Sequence, residues 1–147
     1  MKPNYNKSIL SVSSSILKHY GIKSNYKSLN ELDIILKKNY KNVVFLILDC
    51  LGENIINKNL TDKDILKNNV ITTVTSVFPP TTAAATTAFH SGLSPYESGW
   101  IGWMPYYKEY DRMIELFLGT DFYTGEKIPG FLEKNDLNYE TIYEKIC

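Results

Sequence analysis

Asn42–Gly52 reads NVVFLILDCLG, and how this stretch is read decides the fold. Val43 to Leu48 is an unbroken apolar run with β-branched members, bounded by the polar Asn42 and Asp49. A run of that length reads as a strand buried on both faces, as in parallel sheets with helices on either side. Asp49 then stands at the carboxyl end of the strand, the edge at which open α/β sheets bind ligands.

Working outward, Ile9, Val12, Ile16 and Leu17 recur at helical spacing, so Ser8–Tyr20 is predicted to be a helix with Gly21 as its stop. Leu29–Tyr40 repeats the pattern with Leu32, Ile35 and Leu36. Ser28 with Glu31 three residues on has the form of a capping box. After Asp49 a short helix is expected around Glu53–Lys58, and a further turn or two within TDKDILKNN, capped by Thr61. VITTVTSVF (70–78) reads as a second strand, ended by Pro79 and Pro80. Thr82–His90 is the next helix. The order helix, helix, strand, helix, strand, helix is an α/β pattern with a parallel sheet.

Beyond Gly92 the texture changes. SPYESGWIGWMPYYKEYDR is crowded with aromatics and glycines and reads as loop and irregular strand. Ile114–Leu118 has the character of a short helix or strand, TGEKIPGF is turn material, and a last helix is expected over Tyr139–Ile146. The expectation is one domain over 1–147. It comprises a helical lead-in (1–41), a strand-helix-strand-helix core (42–92) and an aromatic loop region (93–147).

Composition narrows the function. The 147 residues carry 16 Lys plus Arg against 16 Asp plus Glu, so charge offers nothing to a polyanion. Arg112 is the only arginine, which leaves bidentate phosphate or base-edge clamps scarce and argues against a nucleic-acid partner. Cys50 and Cys147 form no CxxC pair and no disulfide framework, which fits a reducing compartment. SVSSS interrupts the apolar residues near the N-terminus, so a secretory signal is not expected. No apolar run reaches the roughly 18 residues of a membrane span. A soluble, cytoplasmic protein with no membrane partner is the expectation.

Two places could carry chemistry. Asp49 is an ionised group at a buried strand end, where it needs a partner or a cation. It reads equally as a metal ligand or as a cap for the next helix through Gly52 and Glu53. FPPTTAAATTAFHSG (78–92) places a doubled hydroxyl at a helix start. Free N–H groups and the positive dipole end gather there and suit a phosphate. A hydroxyl there, beside a divalent ion, would be activated for attack. The plainer alternative is a threonine N-cap on an alanine-rich core helix. Both places should share one sheet edge, which favours a half-site for a metal and a phosphoryl group.

NVVFLILDCLG followed by TSVFPPTTAAATTAFHSGLSPYESGW resembles the N-terminal part of the alkaline phosphatase superfamily, in its type I phosphodiesterase/nucleotide pyrophosphatase branch. The resemblance covers roughly Asn42 to Trp103. It implies part of an alkaline-phosphatase-like three-layer α/β sandwich with a mostly parallel sheet. It also implies a metal-dependent phosphoric ester hydrolase in which Asp49 ligates a metal and Thr82 both ligates and attacks, while Thr81 shapes the turn. Two divalent ions, zinc or manganese, and a small phosphate ester or nucleotide substrate come with the resemblance.

The sequence departs from the family pattern at several points. Cys50 stands where the family has a glycine, and it is expected to be an inert buried thiol. Ser98 stands where a histidine is customary. His90, eight residues along the helix from Thr82, and His19 are the only histidines. The family's later Asp and His ligands have no counterpart here, so the chain is expected to be a fragment whose partner is the missing C-terminal half. A non-catalytic phosphate- or nucleotide-binding remnant is the alternative. The sulfatase-type motif is absent from PPTTAAA. Trp100 and Trp103 are candidates for stacking on a flat substrate group, with ordinary packing as the other reading.

Overall fold

The structure is a computed structural model that describes residues 3–38 and 40–147. In chain order its elements are α1 (Ile9–His19), α2 (Asn30–Leu36), α3 (Glu53–Asn59), α4 (Ile65–Asn68), α5 (Thr82–Ser91), α6 (Pro95–Ser98), β1 (Tyr106–Tyr107), β2 (Arg112–Glu115), β3 (Thr120–Asp121), α7 (Phe131–Lys134) and α8 (Ile142–Ile146). Asn39, near the end of the helix expected over Leu29–Tyr40, lies outside the described residues, as do Met1 and Lys2 of the lead-in.

Helix α1 buries Ile9, Leu10, Ile16 and Leu17. The serines between them, Ser11, Ser13, Ser14 and Ser15, are buried as well. Their hydroxyls find partners. Ser13 donates to the Phe89 carbonyl at 2.9 Å, Ser14 and Ser24 share a 2.7 Å bond, and Ser15 accepts the Leu29 N–H at 2.9 Å. Small, satisfied side chains let α5 approach closely. Ala84 and Ala88 pack with Leu10 and Val77 in one apolar cluster. The serines that read as a polar break are therefore a packing surface. Helix α8 closes a second cluster, in which Ile142 meets Ile16 and Leu17 with Phe45 against them.

The sheet lies elsewhere than expected. Strands β1, β2 and β3 form a three-stranded antiparallel sheet, with Tyr106 opposite Met113 and Ile114 opposite Asp121. Asp111 and Gly119 take positive φ at the two turns, as tight reversals require. Beneath the sheet Trp100, Ile114, Leu116, Phe131 and Leu137 form a third cluster. Gly99, at φ +73°, lies so close to it that a Cβ there would meet Leu137 Cδ2 at 2.7 Å.

The expected partial alkaline-phosphatase-like sandwich with a mostly parallel sheet is not formed. Neither Val43–Leu48 nor 70–78 is a strand of a sheet. The only parallel bridge among the described residues joins Ser8 to Thr75, through Ile9 N–H to Thr75 O at 3.0 Å and Thr75 N–H to Lys7 O at 3.1 Å. The physical reason lies in the crossover. A buried parallel strand needs helices on both faces, yet α3 and α4 bury no residue. Val43, Phe45 and Ile47 are half-buried, while Val44 and Leu46 are 88% and 73% exposed. One face of the apolar run is covered and the other is bare.

Two caps also differ from expectation. The N-cap of α2 is Leu29, with no side-chain bond. Ser28 instead donates to Asp33 Oδ2 at 2.7 Å, beside Lys18. Asp64, not Thr61, precedes α4, and its carboxylate accepts from the Thr61 N–H at 2.7 Å.

Burial alone would push the Asp33 carboxyl up, but hydrogen bonds from Lys18 and Ser28 outweigh it and hold it below the ordinary carboxylate range. A carboxyl with a depressed folded pKa adds stability that is present above its unfolded pKa of about 3.9 and is lost as pH falls through the folded value. Urea unfolding should therefore show stability falling as pH drops below about 4. Asp33→Asn should flatten part of that acid limb and lower stability at pH 7.

Candidate functional site

Helix α5 begins where Pro79 and Pro80 end the segment before it. Thr81 is its N-cap, and the hydroxyl accepts the Ala84 N–H at 3.3 Å. Thr82 is the first helical residue, so its side chain is free of the capping task. Its Oγ1 donates to Asp49 Oδ2 at 3.3 Å, across 33 residues of sequence. The other carboxylate oxygen, Oδ1, accepts the Cys50 N–H at 2.8 Å. Asp49 and Thr82 are both exposed. Asp49 does not cap the following helix, because the N-cap of α3 is Gly52. Among the described residues, the N–H groups of Thr82 and Ala83 make no hydrogen bond within the protein.

The pair thus sets one anionic oxygen and one hydroxyl against the positive end of a three-turn helix. Such a site can take a cation on the carboxylate and an anion on the helix end. A zinc site needs about four donors. Among the described residues no group of three or more His, Cys, Asp or Glu side chains could hold a metal ion. Asp49 and Thr82 alone fall short of that donor set, and the donors described in this chain do not fit a metal pair.

Cys50 departs from expectation. Its thiol is exposed and free rather than buried. Its backbone takes φ +58°, the left-handed region. Asp49 thus ends the apolar run at a sharp bend, which turns its carboxylate toward α5. A glycine would adopt that conformation without strain, and the resemblance places a glycine at this position.

The other candidates lie apart from the pair. His90 is near the far end of α5, about 12 Å along the axis from Thr82, with its ring 5.7 Å from that of Tyr143. His19 rests against Tyr20. Trp100 is buried in the cluster under the sheet, and its Nε1–H donates to the Leu137 carbonyl at 2.8 Å. Phe117 and Tyr139 occupy its surroundings at 4.9 and 5.8 Å. Trp103 is half exposed and packs on Phe117 at 5.2 Å. Ser98 is buried in α6 and accepts the Trp100 N–H at 3.3 Å.

One tie went unnoticed in the sequence. The Tyr26 hydroxyl donates to Glu97, which also accepts from Ser94 at 2.8 Å. Burial, then the Glu97 bond, raises the Tyr26 pKa. Burial would raise that of Glu97 too, but the bonds from Tyr26 and Ser94 hold it below the ordinary range. SPYE (94–97) is a capping-box pattern and could have placed Glu97; nothing in the sequence pointed to Tyr26.

No family model, curated protein or solved structure matches the chain.

Two outcomes are expected from this geometry. Cys50→Gly should raise stability by up to about 1 kcal/mol, since relief of left-handed strain exceeds the entropy glycine adds to the unfolded chain. Trp100→Phe should lower it by about 1–3 kcal/mol by leaving the buried Leu137 carbonyl without a donor. Chemical denaturation of each variant measures both.

Proposed function

We propose that the chain carries the nucleophile portion of a metal-dependent phosphoric ester hydrolase acting on a small phosphodiester, phosphomonoester or nucleotide. Thr82 is the attacking group and Asp49 a metal ligand in this reading. The observation that supports it is the 3.3 Å contact of Thr82 Oγ1 with Asp49 Oδ2 at the start of α5. In this reading the remaining donors belong to further polypeptide, the C-terminal half of the catalytic unit, since among the described residues no group of three or more His, Cys, Asp or Glu side chains could hold a metal ion.

The chain's own contribution is positional. Thr81 takes the capping bond, so the Thr82 hydroxyl stays available. The unpaired N–H groups at the helix start suit phosphoryl oxygens. Attack by Oγ1 on phosphorus would make a phosphothreonine and release the ester's alcohol. The hydroxyl proton is lost to solvent, and the leaving oxygen gains one. Water would then break the Oγ1–phosphorus bond, freeing phosphate from a monoester or the remaining monoester from a diester, and restore the threonine. The free cysteines support a reducing, cytoplasmic setting, and no described helix is long and apolar enough to cross a membrane.

The shortage of donors favours a second reading, a non-catalytic module that binds phosphate or a nucleotide at the same helix end. Turnover of bis-p-nitrophenyl phosphate with zinc or manganese separates the two. Under the hydrolase reading, Thr82→Ala lowers turnover by about a thousandfold or more, and Asp49→Asn weakens zinc binding in calorimetry. Equal turnover by Thr82→Ala removes Thr82 as nucleophile. Absent turnover, with metal-free heat on adding phosphate or AMP, leaves the binding module.

A further inference from the structure

The apolar run before Asp49 has a property independent of the hydrolase reading. Among the described residues, no main-chain hydrogen bond joins any residue from Tyr40 to Leu51 to another main-chain group. The run nevertheless has strand chemistry. It is apolar, and its burial alternates with period two as along a strand, with Val43, Phe45 and Ile47 half-buried and Val44, Leu46 and Leu48 exposed. A row of free N–H and C=O groups flanked by apolar side chains is a template for another strand.

The sequence of the run indicates which strand fits. Only two charged residues bound it, Lys41 at one end and Asp49 at the other, placed symmetrically about Phe45. In an antiparallel pairing of two copies centred on Phe45, Lys41 of each copy falls opposite Asp49 of the other. Val43 then meets Ile47, Val44 meets Leu46, and every residue from 43 to 47 lies opposite an apolar one. A shift of two residues in one direction sets Asp49 opposite Val43, and in the other sets Lys41 opposite Ile47. A shift of one residue turns the inward set outward. Parallel pairing would set Lys41 beside Lys41 and Asp49 beside Asp49, which repels. One register alone satisfies both the charges and the apolar residues.

We propose that two copies of this chain associate through antiparallel pairing of residues 41–49, with the two-fold axis at Phe45. The interface is isologous, so each favourable contact occurs twice and the pairing closes at two copies. It brings Lys41 of the second copy to the rim of the Asp49–Thr82 pair and fills the bare main-chain edge. Asp49 belongs both to the paired run and to the proposed site, so association is read from sedimentation and Lys41→Glu, and hydrolysis from turnover and Thr82→Ala, which lies outside the run.

Sedimentation equilibrium of the full chain tests this directly. A dimer is expected at concentrations on the order of 100 μM. Lys41→Glu sets glutamate opposite aspartate twice and should weaken the dimer about tenfold or more. The double exchange Lys41→Glu with Asp49→Lys should restore it. A monomer at all these concentrations, or a Lys41→Glu variant that dimerises as tightly as the parent, overturns the proposal. So do open-ended aggregates indifferent to the charge exchange. Hydrogen exchange on the unaltered chain gives a second test that needs no variant. Amides within 42–48 should gain protection as concentration rises through the dimer range. Amides that exchange at unprotected rates while the dimer is populated place the contact elsewhere and overturn the register.

Discussion

The contact of α1 with α5 is the constraint on which the remaining arrangement rests. It is made from serines and alanines set around Leu10, so the two helices come close and the direction of α5 is set narrowly. Leu10 fills the space against Ala84, Ala88 and Val77, and the Ser13 hydroxyl holds the Phe89 carbonyl near the end of α5. The single bridge from Ser8 to Thr75 ties the chain leading into α5 to the start of α1. Closely packed interiors transmit such constraints with little slack. The place of Thr82 therefore follows from a helix pair whose contacts begin at Ala84, two residues on.

Asp49 reaches the same point by another route. Phe45 rests on Phe89 at 5.6 Å, which lays the apolar run along α5, and the bend at Cys50 turns the aspartate inward. A carboxylate and a hydroxyl then meet although neither belongs to a sheet. The exposure of Val44 and Leu46 on the opposite side arises from the same placement. α5 covers one face of the run, and α3 and α4, which bury nothing, leave the other uncovered.

Legibility followed the range of the interactions. Helix α5 was readable almost to the residue, because Pro79, Pro80 and Thr81 punctuate its start and Gly92 its end within a local stretch. Helix α1 was readable from four apolar positions, though its serines were read for polarity when their small size is what counts. The capping box assigned to Ser28 and Glu31 failed because buried Asp33 claims the Ser28 hydroxyl. Trp100 and Trp103 looked alike in sequence; burial separates them, one under the sheet and the other at its rim.

By itself the sequence determined that helices lie within Ser8–Tyr20 and Thr82–His90 and that Val43–Leu48 is an apolar run, and it put Thr82 and Asp49 forward as candidates. Those properties depend on neighbours within a few positions, where propensity, capping and periodicity act. Tertiary structure alone decided that the two expected strands do not join in a sheet, that the sheet forms at 106–121, that Cys50 is exposed in a left-handed bend, and that Thr82 and Asp49 meet. Pairing and burial are contacts between distant residues. The free energy of a strand lies in the partner beside it and the layer above it, and a run of valines and leucines carries no record of whether either is present.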